Sequence, residues 1–355
     1  MIDVVHFLGG YPVEPVDIHA SIRHLDAISD SLTLFDKPIH AYSLGRQRNV
    51  DALEMVRLAH GLSEEELDRL EESDPVAALR EALRDLGYIE GQNVTYEARF
   101  AEGKMEPLAD LAAELVRLAH ERKLVLQVGH VERFNPVFSY LETAAPEPRF
   151  IECHRLSPFP ARSTDIGVVL DLMIHDLDVV LAFVRSPVVS VDAVGIPVLS
   201  KSEDIANARL RFANGCVANL TASRISPERL RKIRVFSGGA QPSYISLDYR
   251  EQKGFIYRLA RDGEEESSLL KKLLSANDSA IVSEFAGKKI TREPVPIAKD
   301  EPLKLELAHF VECVRERRTP KVSGASAKHA LDVAFEITSQ IRSAESTTAA
   351  QRTQR

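Results

Sequence analysis

The feature that most limits the possible folds is a run of six strand-like segments between Arg149 and Tyr249. They are Arg149 to Leu156, Val188 to Val198, Asn207 to Phe212, Cys216 to Ser223, Lys232 to Phe236 and Tyr244 to Tyr249. Asn214-Gly215 between two of them is a strong hairpin signal, since these residues tolerate the positive φ that a two-residue turn demands. Helices are expected at Val168 to Val184, Lys304 to Glu316 and Ala325 to Ile341. This order predicts an α+β domain over residues 124–343, an open, mainly antiparallel sheet with helices on one face. The tail, 344–355, is Ser, Thr, Ala, Gln and Arg and reads as disordered.

The residues before it follow a different pattern. Short strands are expected at Val4 to Leu8, Lys37 to Tyr42, Val94 to Phe100 and Leu124 to Val128. Between them lie helical stretches from Asn49 to Ala59, after Ser63, and from Pro75 to Leu86. Pro107 opens an amphipathic helix with Leu108, Leu111, Leu115 and Leu118 on one stripe. This part is expected to be α/β, an incomplete Rossmann-like unit whose last helix and strand are the remnant.

Composition excludes several classes. With 44% hydrophobic and 28% charged residues, the chain of 355 is a globular protein with a core. A net charge of -8 with mixed signs argues against a nucleic-acid partner. No stretch approaches the ~20 apolar residues that span a bilayer, and MIDVVHFLGG, with no basic n-region and no long apolar h-region, does not read as a signal peptide. Cys153, Cys216 and Cys313 lack metal or redox spacing and read as reduced thiols of a cytoplasmic protein.

The segment carrying chemistry runs from Asp165 to Asp178. On a helix, Asp171 and His175 are four apart and share a side. A carboxylate beside an imidazole fixes its tautomer and raises its basicity, which suits proton removal from a hydroxyl. A buried histidine satisfied by a carboxylate is the plainer alternative. His175, Asp176 and Asp178 supply too few ligands for a metal.

Gly129-His130-Val131-Glu132-Arg133-Phe134-Asn135-Pro136, followed by the Asp171/His175 helix, resembles the Gfo/Idh/MocA oxidoreductases. Glu203-Asp204-Ile205-Ala206-Asn207, Phe212-Ala213-Asn214-Gly215 and Glu306-Leu307-Ala308-His309-Phe310 follow in the family's order. His154 to Arg234 is similar to the branch acting on the 3-hydroxyl of UDP-N-acetylglucosamine. The resemblance implies hydride transfer to NAD or NADP, with His175 as base, Asp171 as its carboxylate and Lys104 assisting. It places His130 and Arg133 in the segment lining the substrate cleft. Arg224 and Arg231, in a basic run with Arg229, Lys232 and Arg234, are candidates for holding a nucleotide-sugar diphosphate. A solvated sheet face is the other reading of that run. The implied partners are a sugar or nucleotide-sugar substrate and further copies of the chain, assembled through the C-terminal sheet.

The family pattern breaks in the N-terminal part. Gly9-Gly10-Tyr11-Pro12 is the only glycine-rich turn near the start, and Pro12 and Pro15 spoil the helix entry that a pyrophosphate requires. Lys104 stands near the family's catalytic lysine, but in a broken motif. Residues 1–75 resemble a piece of the trimethylamine methyltransferase family, through Pro38-Ile39-His40-Ala41-Tyr42-Ser43-Leu44-Gly45-Arg46. Residues 76–123 resemble a fragment of an ABC-transporter substrate-binding protein, through Leu86-Gly87-Tyr88-Ile89-Glu90-Gly91-Gln92-Asn93. Two expectations follow: a sugar oxidoreductase with a replaced cofactor part, or an inactive chimera whose sheet domain only binds ligand or oligomerises.

Overall fold

Helix α1, Leu108–Glu121, forms where the leucine stripe predicts it, with Pro107 at its N-cap and Ala112, Leu115 and Ala119 buried. Leu115 and Ala119 pack with Leu126 of the strand that follows. The computed structural model describes residues 4–7, 39–44, 84, 89, 92, 94–99, 107–159, 166–239, 242–260, 280–285 and 288–353. The chain divides into two units, Met1–Val131 with Glu301–His329, and Glu132–Asp300 with Ala330–Arg355.

In the first unit, β1 (Val4–Phe7) pairs in parallel with β4 (Val125–Val128), and β2 (Ile39–Leu44) with β3 (Val94–Arg99). Parallel pairs need long crossover connections, which is the α/β habit. The Val128 N–H donates to the Val322 carbonyl at 3.1 Å. The Gln127 amide donates to the Glu306 carbonyl on α4, the helix Pro302–Glu316. The helices expected between Asn49 and Leu86 lie outside the described residues, apart from Arg84, which is helical.

The second unit is built on a sheet of nine strands among the described residues. These are β5 (Pro148–Leu156), β6 (Val188–Ile196), β7 (Ile205–Phe212), β8 (Val217–Ser223), β9 (Leu230–Ser237), β10 (Ser243–Asp248), β11 (Lys253–Leu259), β12 (Ala280–Phe285) and β13 (Lys288–Pro294). Their order across the sheet is β12-β13-β11-β10-β9-β5-β8-β7-β6. Every pair is antiparallel except β5 with β8. The sheet is open and mainly antiparallel, as the strand order in the sequence predicts. Between β7 and β8, Gly215 takes φ +83 and the Asn214 side chain accepts from the Cys216 N–H, which closes the expected hairpin.

One face is covered by helices. Strand alternation turns Ile151, Cys153, Leu210, Leu220, Ile233, Val235, Ile245 and Leu247 inward, all essentially inaccessible. They meet Val137, Phe138 and Leu141 of α2 (Pro136–Ala144), Leu177 and Val180 of α3 (Ile174–Val184), and Ala334 and Ile337 of α5 (Gly324–Thr353). Burying each large side chain contributes about 1.5–3 kcal/mol.

The structure also departs from the expectations. Helix α2, the 3-10 turn Val131–Phe134 and strands β11 to β13 have no counterpart among the elements expected from the sequence. Helix α5 runs on beyond Ser343, where disorder is expected, because Ala, Glu, Gln and Arg are good helix formers. Among the described residues, no helix is long and apolar enough to cross a membrane.

Candidate active site

Asp171 and His175 do not share an uninterrupted α-helix. Val169–Met173 winds as a π-turn, and α3 continues from Ile174. The Ile174 N–H reaches back to the Val169 carbonyl, five residues earlier. Such a widened turn holds one residue more than an α-helical turn and re-aims everything after it, which is why it recurs at functional sites. Asp171 and His175 are each only 6% exposed.

Helix α3 is buried on nearly all sides from His175 to Val180, so its carboxylates need partners. Arg155 of β5 supplies one partner. Its Nε and Nη2 donate to the two Asp176 oxygens at 3.0 and 2.8 Å, and Nη2 also reaches Glu132 at 3.2 Å. Arg133 donates to Asp178 at 3.2 Å, and its guanidinium lies over the Phe138 ring. Asn135 ties the turn down further. Its amide donates to Glu132 at 3.0 Å and to the Tyr249 carbonyl at 3.2 Å, while its oxygen caps α2 by accepting from the Val137 N–H. Burial, then Cys153, Glu132 and Asp176, push the Tyr249 phenol well above its usual value, so it stays neutral beside this network.

A second polar cluster closes the N-terminal end of the π-turn. Asp204 accepts from the Val198, Leu199 and Ser200 N–H groups at 2.8, 2.6 and 2.9 Å. The Ser200 hydroxyl and Arg224 Nε donate to its other oxygen. Burial works against the charge, but these donors overcome it and hold the Asp204 carboxyl well below the usual range. Arg224 is completely buried, and it also donates to the Ile166 carbonyl at 2.7 Å and to Ser200 at 2.8 Å. Next to it, Glu203 accepts the Val168 N–H on its carbonyl and the Val169 N–H on its carboxylate.

The structure therefore distributes the residues singled out from the sequence. His130 is buried, with its N–H on the Val128 carbonyl. Arg133 and Arg224 each face an aspartate, Asp178 and Asp204. The basic run is split by strand alternation. Arg231 lies opposite Arg155 and shares its face, while Lys232 and Arg234 turn outward toward Asp248 and Glu152. Lys104, Asp165 and the Gly9-Gly10 turn lie outside the described residues. Arg155 and Tyr249 are site residues that the sequence does not single out, and Glu203 enters it only within a family-like motif. The signal for Arg155 is the pair Asp176 and Asp178 in a largely apolar helix, which demands buried cations elsewhere.

The cofactor implied by the resemblance needs a glycine-rich turn from strand to helix. Among the described residues, the turn that follows β4, residues 129–135, carries one glycine and enters a 3-10 turn. That turn offers no cradle for a pyrophosphate, and the Gly9-Gly10 turn after β1 lies outside the described residues.

Comparison with known proteins agrees with this architecture. Residues 144–238 match the family model of the GFO/IDH/MocA C-terminal domain, and residues 1–76 match trimethylamine methyltransferase. UDP-N-acetylglucosamine 3-dehydrogenase of Acidithiobacillus ferrooxidans is 34% identical over 227 residues, 64% of this chain and 65% of that protein. A solved structure of a dehydrogenase of that name and organism superposes over 96% of this chain and 98% of its own, with TM-score 0.62 at 24% identity. Levoglucosan dehydrogenase, solved with NADH and L-sorbose, covers 97% and 98% with TM-score 0.55 at 12% identity, and so shares the fold. Residues 144–238 thus carry a domain of the GFO/IDH/MocA C-terminal type. The chain is homologous to the UDP-N-acetylglucosamine 3-dehydrogenase, matching just under two thirds of that protein's length. None of these matches supports the substrate-binding-protein likeness of residues 76–123.

Proposed function

We propose that the chain is an NAD(P)-dependent oxidoreductase that oxidises a hydroxyl of a sugar or nucleotide sugar, the 3-hydroxyl of UDP-N-acetylglucosamine first among the candidates. The observation that carries this reading is the buried Asp171 of the π-turn with the buried His175 just after it, within a region of 34% identity to a dehydrogenase of that substrate. His175 takes the hydroxyl proton, and Asp171 sets its tautomer and basicity. A bound nicotinamide would supply the hydride acceptor. Lys104 is proposed to assist at the hydroxyl, and His130 and Arg231 to contact the substrate. Arg133 and Arg224, each tied to an aspartate, serve the substrate by holding its surroundings in place. The chain is further proposed to assemble with copies of itself through the outer face of the sheet.

A second reading is an inactive chimera whose sheet unit only binds ligand or oligomerises. One observation favours it: residues 1–76 match the model of a different family, trimethylamine methyltransferase. Calorimetric titration with NAD(H) and NADP(H), with and without UDP-N-acetylglucosamine, separates the two. The oxidoreductase reading expects saturable micromolar binding of a cofactor, and substrate oxidation abolished by His175→Asn. Absence of cofactor binding up to millimolar concentration would leave the chimera.

A further inference from the structure

We propose that Glu203 is a positioning residue that sets the π-turn carrying Asp171 and leading into His175; this rests on the reading of that pair as base and carboxylate. The first N–H groups of a helix have no partner within it, and at Val168 no local side chain caps them. Glu203, far away in sequence, does so instead. Its carbonyl takes the Val168 N–H at 2.9 Å, and its carboxylate Oε1 takes that of Val169 at 3.3 Å. Val169 is the first residue of the widened turn, so the carboxylate grips the point where the extra residue enters. A negative group also suits the positive end of the helix.

The slot around Glu203 is built from two glycines. A Cβ at Gly167 would overlap the Glu203 carboxylate, and one at Gly195 would press on the Glu203 Cβ at 3.0 Å. The neighbouring Asp204 and Arg224 fix the same junction from the other side, through the Ile166 carbonyl. Glu203 is only 6% exposed, and its burial pushes its carboxyl above the usual range.

The test uses the full chain and four variants: Glu203→Gln, Glu203→Ala, Gly167→Ala and the double Gly167→Ala/Glu203→Ala. The readouts are the ring-nitrogen NMR shifts of His175 and the thermal midpoint. Glu203→Ala and Gly167→Ala should each move the His175 signals, whereas Glu203→Gln, which keeps the acceptor oxygen, should leave them in place. Gly167→Ala should lower the midpoint less when combined with Glu203→Ala than alone, because the clash is gone. His175 signals that stay fixed in both single Ala variants while the midpoint falls would reduce Glu203 to a structural cap and overturn the proposal. Should either single variant fail to fold, the Gln and double variants carry the comparison: His175 signals that move in the double and stay in Gln support it, and the same signals in both overturn it. Turnover is not read, so failure of the dehydrogenase reading would show separately, as wild-type protein that binds no cofactor.

Discussion

Arg155 reaches from a sheet strand to carboxylates on two other elements, Asp176 of α3 and Glu132 of the 3-10 turn. Charges this deeply buried are costly alone and tolerable only together. Arg155→Met should therefore destabilise the protein by about 3–5 kcal/mol, read by urea unfolding, because it strands two buried carboxylates. A change under ~1 kcal/mol, the range of exposed pairs, would mean the network contributes little. Asp204 and Glu203 are adjacent and respond to pH with opposite signs. The Asp204 carboxyl is held below its unfolded value of roughly 3.9, so its contribution is complete above about pH 4 and fades as the pH falls further. Asp204→Asn should thus cost most at neutral pH, on the order of 3 kcal/mol, and progressively less in acid. Glu203, raised by burial, stabilises most below about pH 4.3 and loses that contribution as the pH rises through its folded value. Glu203→Gln should accordingly gain stability relative to wild type as the pH rises, a crossing trend that unfolding at several pH values would reveal.

At the level of elements, strands are legible in the sequence where alternation and turn chemistry coincide. Asn214-Gly215 marks its hairpin because only such residues accept φ +83 there cheaply, and β7 and β8 follow on either side. Strand β11 is not legible because its half-buried face gives little contrast along Lys253–Leu259. The helix expected from Val168 to Val184 exists, but its first turn is widened, and nothing local announces that. Its cap comes from a residue 34 positions away, and sequence-based capping rules see only neighbours within a turn. Helix α2 is the opposite case. Asn135-Pro136 is a readable N-cap and N1 pair, yet it sits inside a motif whose residue types point first to chemistry, and that masks its structural message.

Across the whole molecule, residues 1–76 match the model of one family and residues 144–238 that of another. The sheet unit also has an outer face with an assembly-like surface. Phe150, Phe236, Tyr244 and Tyr257 stand in a row across four strands, with ring centroids 5.6, 4.6 and 5.2 Å apart. Val194 and Ile196 at the sheet edge are more than half exposed. Apolar surface of this kind favours association, and the proposed self-assembly predicts that Phe236→Asp lowers the mass measured by sedimentation while preserving the fold. A monomeric wild-type protein would rule that assembly out. The sequence alone determined the class of the sheet unit, its hairpin and the helix bearing Asp171 and His175, because turn residues and periodicity act over a few positions. Only the tertiary structure decided the π-turn, the pairing of Arg133, Arg155 and Arg224 with aspartates, and the splitting of the basic run between two faces. Those depend on buried charges finding partners on other strands and helices, and sequence distance carries no record of that choice.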